Sequence, residues 1–171
     1  MSEPRLPDEL ENLNVRPYKT SDQNAVKHLY TAGLLAGQIA PNDTGADINN
    51  IQEAYFDQDR HHFWVAEVEN WVRGMIGLAS DEPHTAEIRR LRVEQGYQHM
   101  NIAPLLLETA ISHCKRHGYL KVRLDTRFER NAAVGMFDRA GFEHTRTKSI
   151  HSKEQLEFYL DLYRAPTQKS E

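Results

Sequence analysis

Leu91-Arg-Val-Glu-Gln-Gly96-Tyr-Gln98-His-Met-Asn101-Ile-Ala-Pro-Leu-Leu-Leu107 decides the fold. It begins as the end of an apolar strand, passes through a polar turn and enters a helix. The first four amides of a helix lack intrahelical partners and sit at its positive end, so a strand feeding such a helix is the physical form of an anion site. That predicts a phosphate-bearing cofactor. Few glycines mark the loop, but a cradle of this kind uses main-chain N–H groups. Asn101 is also the kind of non-glycine residue that tolerates positive φ.

Upstream, Ala86–Val93 has the apolar content of a strand, reached through a turn at Asp81-Glu-Pro83. Phe63–Val68 and Val72–Leu78 flank Glu69-Asn70 and predict a β-hairpin. Downstream, Ile102, Leu105, Leu106, Thr109, Ala110, His113 and Cys114 fall on one helical face, and His117-Gly118 ends that helix. Leu120–Thr126 is apolar enough for a central strand, and with a helix bridging them the Ala86–Val93 and Leu120–Thr126 strands must be parallel. Asn131 caps a short helix, Ala132–Ala140, closed by Gly141, and Leu156, Phe158, Leu160 and Leu162 alternate with polar residues as a half-buried strand does. Near the start, Asn14–Tyr18 is a short first strand. Thr20-Ser-Asp-Gln23 fits a capping box for a helix to about Gly37, Pro41–Gly45 is a turn, and Ile48–Phe56 is a second, shorter helix.

A chain of 171 residues is most economically one domain. Residues 13–165 are expected to form it, between a flexible tail at 1–12 and another at 166–171. The net charge of −4 argues against nonspecific binding to nucleic acid. Cys114 is the only cysteine, so no intrachain disulfide can form and a reducing, cytoplasmic setting fits best. No basic region followed by an apolar run opens the chain. Leu29–Ala40, its longest mildly apolar stretch, is too short to cross a bilayer, so no membrane partner is expected.

In this order the motifs resemble the GNAT superfamily of acyl-CoA-dependent N-acyltransferases. The similarity runs from Val15-Arg-Pro-Tyr-Lys-Thr-Ser-Asp22 to the last strand and is strongest over Glu87–Phe142. The family's loop pattern, Gln/Arg-x-x-Gly-x-Gly/Ala, is occupied by Gln98-His-Met-Asn101-Ile-Ala103, with Asn101 replacing the first glycine. Asn131-x-Ala133 and Phe137-Asp-Arg-Ala-Gly141-Phe142 are similar to its fourth helix and closing Gly-Phe. The resemblance implies an α/β (α+β) fold: a central, mostly antiparallel sheet of six to seven strands, one parallel splayed pair and about four helices.

It also implies an activity: direct transfer of an acetyl group from acetyl-CoA, the co-substrate, to a primary amine, with no metal. The implied contacts to acetyl-CoA are the backbones of Leu91, Arg92 and Val93, the loop Gln98, His99, Met100, Asn101, Ile102 and Ala103, and Asn131 and Phe137. Glu87 stands where some members carry a general base, which is useful because an ammonium of pKa near 10.4 is almost wholly protonated at neutral pH. The other reading of Glu87 is a strand-edge carboxylate paired with Arg89 or Arg123. Phe137 is the clearest departure, since the family often has a tyrosine there to protonate the leaving thiolate. Two functions therefore stand side by side, an acetyltransferase and a non-catalytic acyl-CoA-binding regulatory domain.

The acceptor is expected to be a small or peptidic amine. Asp43, Asp47, Glu53, Asp57 and Asp59 face only Arg60 within their segment, and an acidic wall there would favour a cationic amine. Arg127 and Arg130 are the arginines best placed to meet CoA phosphates. The His113/His117 and His61/His62 pairs lack an evident third ligand, and Cys114 on an apolar helix face is a core residue. By the same resemblance the final strands are a possible homodimer contact.

Overall fold

The computed structural model describes residues 12–33, 43–127, 131–150 and 153–162. Seven strands form one sheet in the order β1-β2-β3-β4-β5-β7-β6. In sequence these are β1 (Leu13–Pro17), β2 (His62–Val68), β3 (Trp71–Glu82), β4 (Thr85–Val93), β5 (Lys121–Arg127), β6 (Glu143–Ile150) and β7 (Lys153–Asp161). The helices are α1 (Gln23–Ala32), α2 (Ala46–Asn49), α3 (Ile102–Arg116) and α4 (Asn131–Arg139). This is the expected mixed sheet, with every pairing antiparallel except β4 with β5.

Alternation along the strands sends apolar side chains to both faces. On one face Trp64, Ile76, Leu78, Ile88, Leu91 and Val93 pack with Ile102, Leu106, Leu107, Ala110 and Cys114 of α3. On the other, Phe63, Val65 and Met75 pack with Val26 and Leu29 of α1 and with Ile48, Ile51 and Tyr55. Gly74 lets α3 start directly on β3, because a Cβ there would stand 2.7 Å from Ile102 Cγ2. The β2–β3 hairpin turns through Glu69 and Asn70, both at positive φ (51° and 69°), the combination that matches strand twist.

Three local expectations are corrected. The capping box lies one residue earlier than Thr20–Gln23: Asp22 accepts from the Lys19 N–H at 2.9 Å, and Arg16 holds that carboxylate from below at 2.7 and 2.8 Å. Gln23 instead accepts from the Tyr18 hydroxyl and donates to Ile48 O, both at 2.8 Å, tying β1 to α2. The single helix over Ile48–Phe56 is split at Asn50 (φ −148°, ψ 68°) into α2 and a wider turn, Gln52–Phe56. Third, the first helix ends at Ala32, short of the expected Gly37, because Gly33 turns extended (φ −70°, ψ 146°). The position of β7 between β5 and β6 is an order that strand pattern alone does not specify. Residues 1–11 of the expected N-terminal tail, the C-terminal tail, residues 34–42 and Arg130 lie outside the described residues. No helix among those described is long and apolar enough to cross a membrane.

Candidate functional site

The parallel pairing of β4 with β5 is short. Thr85, Ala86 and Glu87 face Lys121, Val122 and Arg123, and then the strands part. β4 continues to Val93 and β5 to Arg127, so the two diverge as a fork whose β4 edge carries backbone groups with no strand partner on that side. Leu91, Arg92 and Val93 lie on this open run, and Leu91 and Val93 turn their side chains into the α3 core. A bulge precedes them: Gly77 pairs with Arg89 and Met75 with Arg92, and Arg90 takes up the extra residue at φ 57°.

At the far end of β4 the chain turns through Glu94–Asn101. Gln98–Met100 form one tight turn, and Asn101 adopts the left-handed conformation (φ 61°, ψ 22°) before Ile102 opens α3. The Gln98 side chain is held within the loop, its Oε1 accepting from Gly96 N–H at 2.9 Å. Glu94 anchors the loop base through His28 Nε2 at 3.0 Å, and Arg73 stacks over Tyr97 at 4.7 Å. Ile102 and Ala103 are first-turn amides, which no intrahelical carbonyl can satisfy. Within the expected cradle the Met100 N–H is committed to Tyr97 O at 3.1 Å. Pro104 has no N–H to add, so the available donors narrow to His99 and Asn101–Ala103. An open strand edge ending in unsatisfied amides fits a ligand with an amide-bearing arm and a phosphate group.

Glu87 sits on the last paired rung, at the root of the fork. It accepts from Arg89 Nε at 2.7 Å and from Arg123 Nη2 at 2.5 Å, so both arginines that its alternative reading named are its partners. The side chain keeps 20% of its exposure and Arg89 keeps 45%, so the pair with Arg89 is open to solvent.

The acidic segment is not a bare wall. Arg90, turned outward by the bulge, grips both Asp43 and Asp47, with Nη2 2.6 Å from Asp47 Oδ1 and its guanidinium 4.9 Å from the Tyr30 ring. The hydrogen bond from Arg90 holds the Asp43 carboxyl down at about 2, and Tyr55 donates to Asp47 at 2.6 Å. Nothing in residue type marks an arginine at a bulge, so this clamp has no signature in the sequence.

Phe137 is 2% exposed, its ring packed with Phe142 and Phe158 at centroid distances of 6.0 and 5.4 Å. Asn131 is the first residue of α4. Cys114 is fully buried, and burial pushes its thiol up to about 12, as an inert core residue requires. His113 stacks on His117 at 4.1 Å and lies 5.2 Å from the His62 ring. Among the described residues no group of three His, Cys, Asp or Glu side chains is arranged to hold a metal ion.

Comparison with known proteins agrees with this geometry. A profile of the acetyltransferase (GNAT) family matches residues 25–142. Human N-acetyltransferase 8B is 32% identical over 110 residues, covering 61% of this chain and 48% of that protein. N-acetylaspartate synthetase of Xenopus tropicalis is 27% identical over 106 residues, covering 61% of this chain and 39% of that protein. The chain thus spans about half the length, or less, of these curated relatives. Among solved structures, an acetyltransferase of the GNAT family from Staphylococcus aureus Mu50 superposes with a TM-score of 0.76 at 19% identity, covering 88% of this chain and 99% of that one.

Proposed function

The chain belongs to the acetyltransferase (GNAT) family, and from that premise we propose that it moves an acetyl group from acetyl-CoA directly to a primary amine. The observation that carries this reading is the fork between β4 and β5, with Glu87 and Arg123 at its root and the amides of Asn101–Ala103 at its far end. Acetyl-CoA would supply the activated acyl group as a thioester. The open β4 edge at Leu91, Arg92 and Val93 would hold its amide-bearing arm, and the N-terminus of α3 its pyrophosphate. One β4 N–H directed at the thioester oxygen would stabilise the charge that develops there, an effect worth about 10²–10³ in rate.

Glu87 is the group that accepts the proton of the acceptor ammonium, directly or through water, because it lies where the strands part and on the face opposite α3. Phe137 contributes packing and no proton. The departing thiolate, with a pKa near 8.5, can take its proton from water. The synthetases among the relatives are named for aspartate as acetyl acceptor. That name supports a small primary amine as the acceptor class here.

Thermal shift with millimolar acetyl-CoA, followed by a thiol-release assay over a panel of amines, tests the reading. Stabilisation with amine-dependent thiol release is expected. The absence of any shift would overturn the ligand assignment, and a shift without thiol release would overturn the transfer.

A further inference from the structure

β4 changes phase partway along its length, and an arginine stands at the step. His84 O accepts from the Lys121 N–H at 3.1 Å, so His84, Ala86 and Ile88 turn their backbone groups toward β5. At the other end Glu94 gives its N–H to Arg73 O at 2.8 Å on the β3 side. By alternation it is then Leu91 and Val93 whose backbone groups face the open edge. The side chains shift with them, Ala86 and Ile88 entering the α3 core before the step and Leu91 and Val93 after it. The step is the bulge: between the pairs Gly77–Arg89 and Met75–Arg92, Ile76 alone opposes both Arg90 and Leu91. Arg90 takes it at φ 57°, a left-handed conformation that a bulge of this kind reserves for glycine. Among the described residues the other non-glycines at positive φ, Arg60, Glu69, Asn70 and Asn101, lie in turns or at a helix cap, and only Arg90 lies within a strand.

A side chain stays in such a conformation only where its surroundings over-determine it. The Arg90 guanidinium is fixed on all sides. Nη1 and Nη2 donate to Asp43, the second at 3.0 Å, while Nε and Nη2 donate to Asp47 at 3.0 and 2.6 Å. The Tyr30 ring lies 4.9 Å away, and the side chain is only 16% exposed. Both carboxylates are held in turn, Asp43 by the Gly45 N–H at 3.0 Å and Asp47 by the Tyr55 hydroxyl at 2.6 Å. Tyr55 packs against the sheet at Gly77, where a Cβ would stand 3.0 Å from its Cε1, and Gly77 is the register partner of Arg89 beside the bulge. Asp43 and Asp47 belong to the segment that leads into α2, on the face opposite α3. That segment is therefore fastened to β4 at the very residue that sets which amides reach the open edge.

We propose that Arg90 is a positioning residue for acetyl transfer: clamped by Asp43 and Asp47, it locks the bulge in its left-handed form and so aims the Leu91 N–H along the open edge at the thioester oxygen. The inference rests on the acetyl-transfer reading above and names what holds its main-chain donor in line. Arg90 itself touches neither acetyl-CoA nor the amine. Without the clamp, residue 90 relaxes toward negative φ, and the peptide planes on either side of it turn with it. Docking of the segment around Asp43 and Asp47 and readiness of the donor are thus one state of the chain.

The test compares Arg90→Met, which loses the clamp and resists positive φ, with Arg90→Gly, which loses the same clamp but adopts positive φ freely. kcat and KM are read from thiol release with the best amine, at a temperature where melting curves show the variants folded, and acetyl-CoA affinity from calorimetric titration. Arg90→Met is expected to lose about tenfold or more in kcat, as a misaligned oxyanion donor would, with acetyl-CoA affinity within about threefold of wild type. Arg90→Gly is expected to restore kcat to within about threefold of wild type, the effect of the freed segment falling on KM for the amine. Asp43→Asn probes the link from its other end: it should lower kcat in the wild-type chain and leave the kcat of Arg90→Gly unchanged. Should Arg90→Met not fold, that pair of Asp43→Asn measurements decides, and an equal loss in both backgrounds, or none in either, overturns the proposal. Arg90→Gly as slow as Arg90→Met, or Arg90→Met as fast as wild type, overturns it while leaving acetyl transfer intact. A wild-type chain that binds acetyl-CoA and transfers to no amine overturns both.

Discussion

Glu87 and Arg123 are register partners on the last rung of the parallel β4–β5 pairing, and their side chains close an ion pair of 2.5 Å across it. The pair ties the strands together at the point where their backbones cease to bond, so the fork opens from a fixed root. It also places the one carboxylate of β4 at the start of the open strand edge.

Glu87→Gln removes the proposed proton acceptor and keeps the shape. The expected outcome is a loss of about 10²–10⁴ in kcat/KM for the best amine at neutral pH, the usual worth of a positioned general base. The ion pairs are partly exposed, so their loss should cost only about 0–1 kcal/mol of stability. Steady-state kinetics with a melting curve separate the two effects. Unchanged kcat/KM across pH would remove Glu87 from the mechanism.

Asn101 is held at φ 61° between the loop and α3, a conformation that costs most side chains about 1–2 kcal/mol. Asn101→Gly is expected to keep both fold stability and acetyl-CoA affinity, because the main-chain donors are unaltered. Asn101→Val should lower stability by about 1–2 kcal/mol and weaken acetyl-CoA binding at least tenfold, because a β-branched residue resists positive φ. Calorimetric titration of the two variants measures the difference. Equal binding by both would mean that the loop geometry does not form the anion site.

How much of this was legible beforehand follows from what each feature depends on. The strand–loop–helix around Asn101 depends on local periodicity and on the tolerance of asparagine for positive φ, and both are written in residue type. The parallel pairing of β4 and β5 follows from a helix joining them. The insertion of β7 between β5 and β6 is a long-range pairing with no local mark. The Arg90 clamp is similar, since Asp43 and Asp47 stand more than forty residues from it and look unopposed in sequence. The engagement of the Met100 amide by Tyr97 has no sequence mark either, because sequence shows which residues enter a turn and not which carbonyl each N–H meets.

Removing the clamp gives a prediction with a definite pH dependence. Arg90→Met leaves Asp43 and Asp47 facing each other, part-buried and without their shared cation, and is expected to cost about 2–3 kcal/mol at pH 7. Asp43 is held at about 2 by Arg90, below its ordinary value of 3.8. A lowered carboxylate contributes stability that is fully present above 3.8 and is lost as pH falls toward 2. The gap between wild type and variant should therefore be constant from pH 7 to about 5 and narrow below pH 4. Urea unfolding at several pH values measures it, and a gap that widens on acidification would contradict the clamp.

His113 on α3 gives the opposite kind of acid sensitivity. Its ring is half-buried between Trp64 and His117, with His62 across from it and Arg116 nearby. Burial, then the repulsion of His117, His62 and Arg116, pulls it down to about 4 from 6.5. Burial and His117 also lower His62. A histidine kept neutral in the folded state binds its proton more readily when unfolded. Its contribution is thus fully present above 6.5 and drains away as pH falls toward 4. Allowing for partial exposure, the chain should lose about 1 kcal/mol between pH 7 and 5 from this site. His113→Gln cannot titrate, so its melting temperature should fall less steeply over the same range, whatever its value at pH 7. Parallel slopes for the two proteins would show that the cluster does not set the acid limit of the α3–β2 contact.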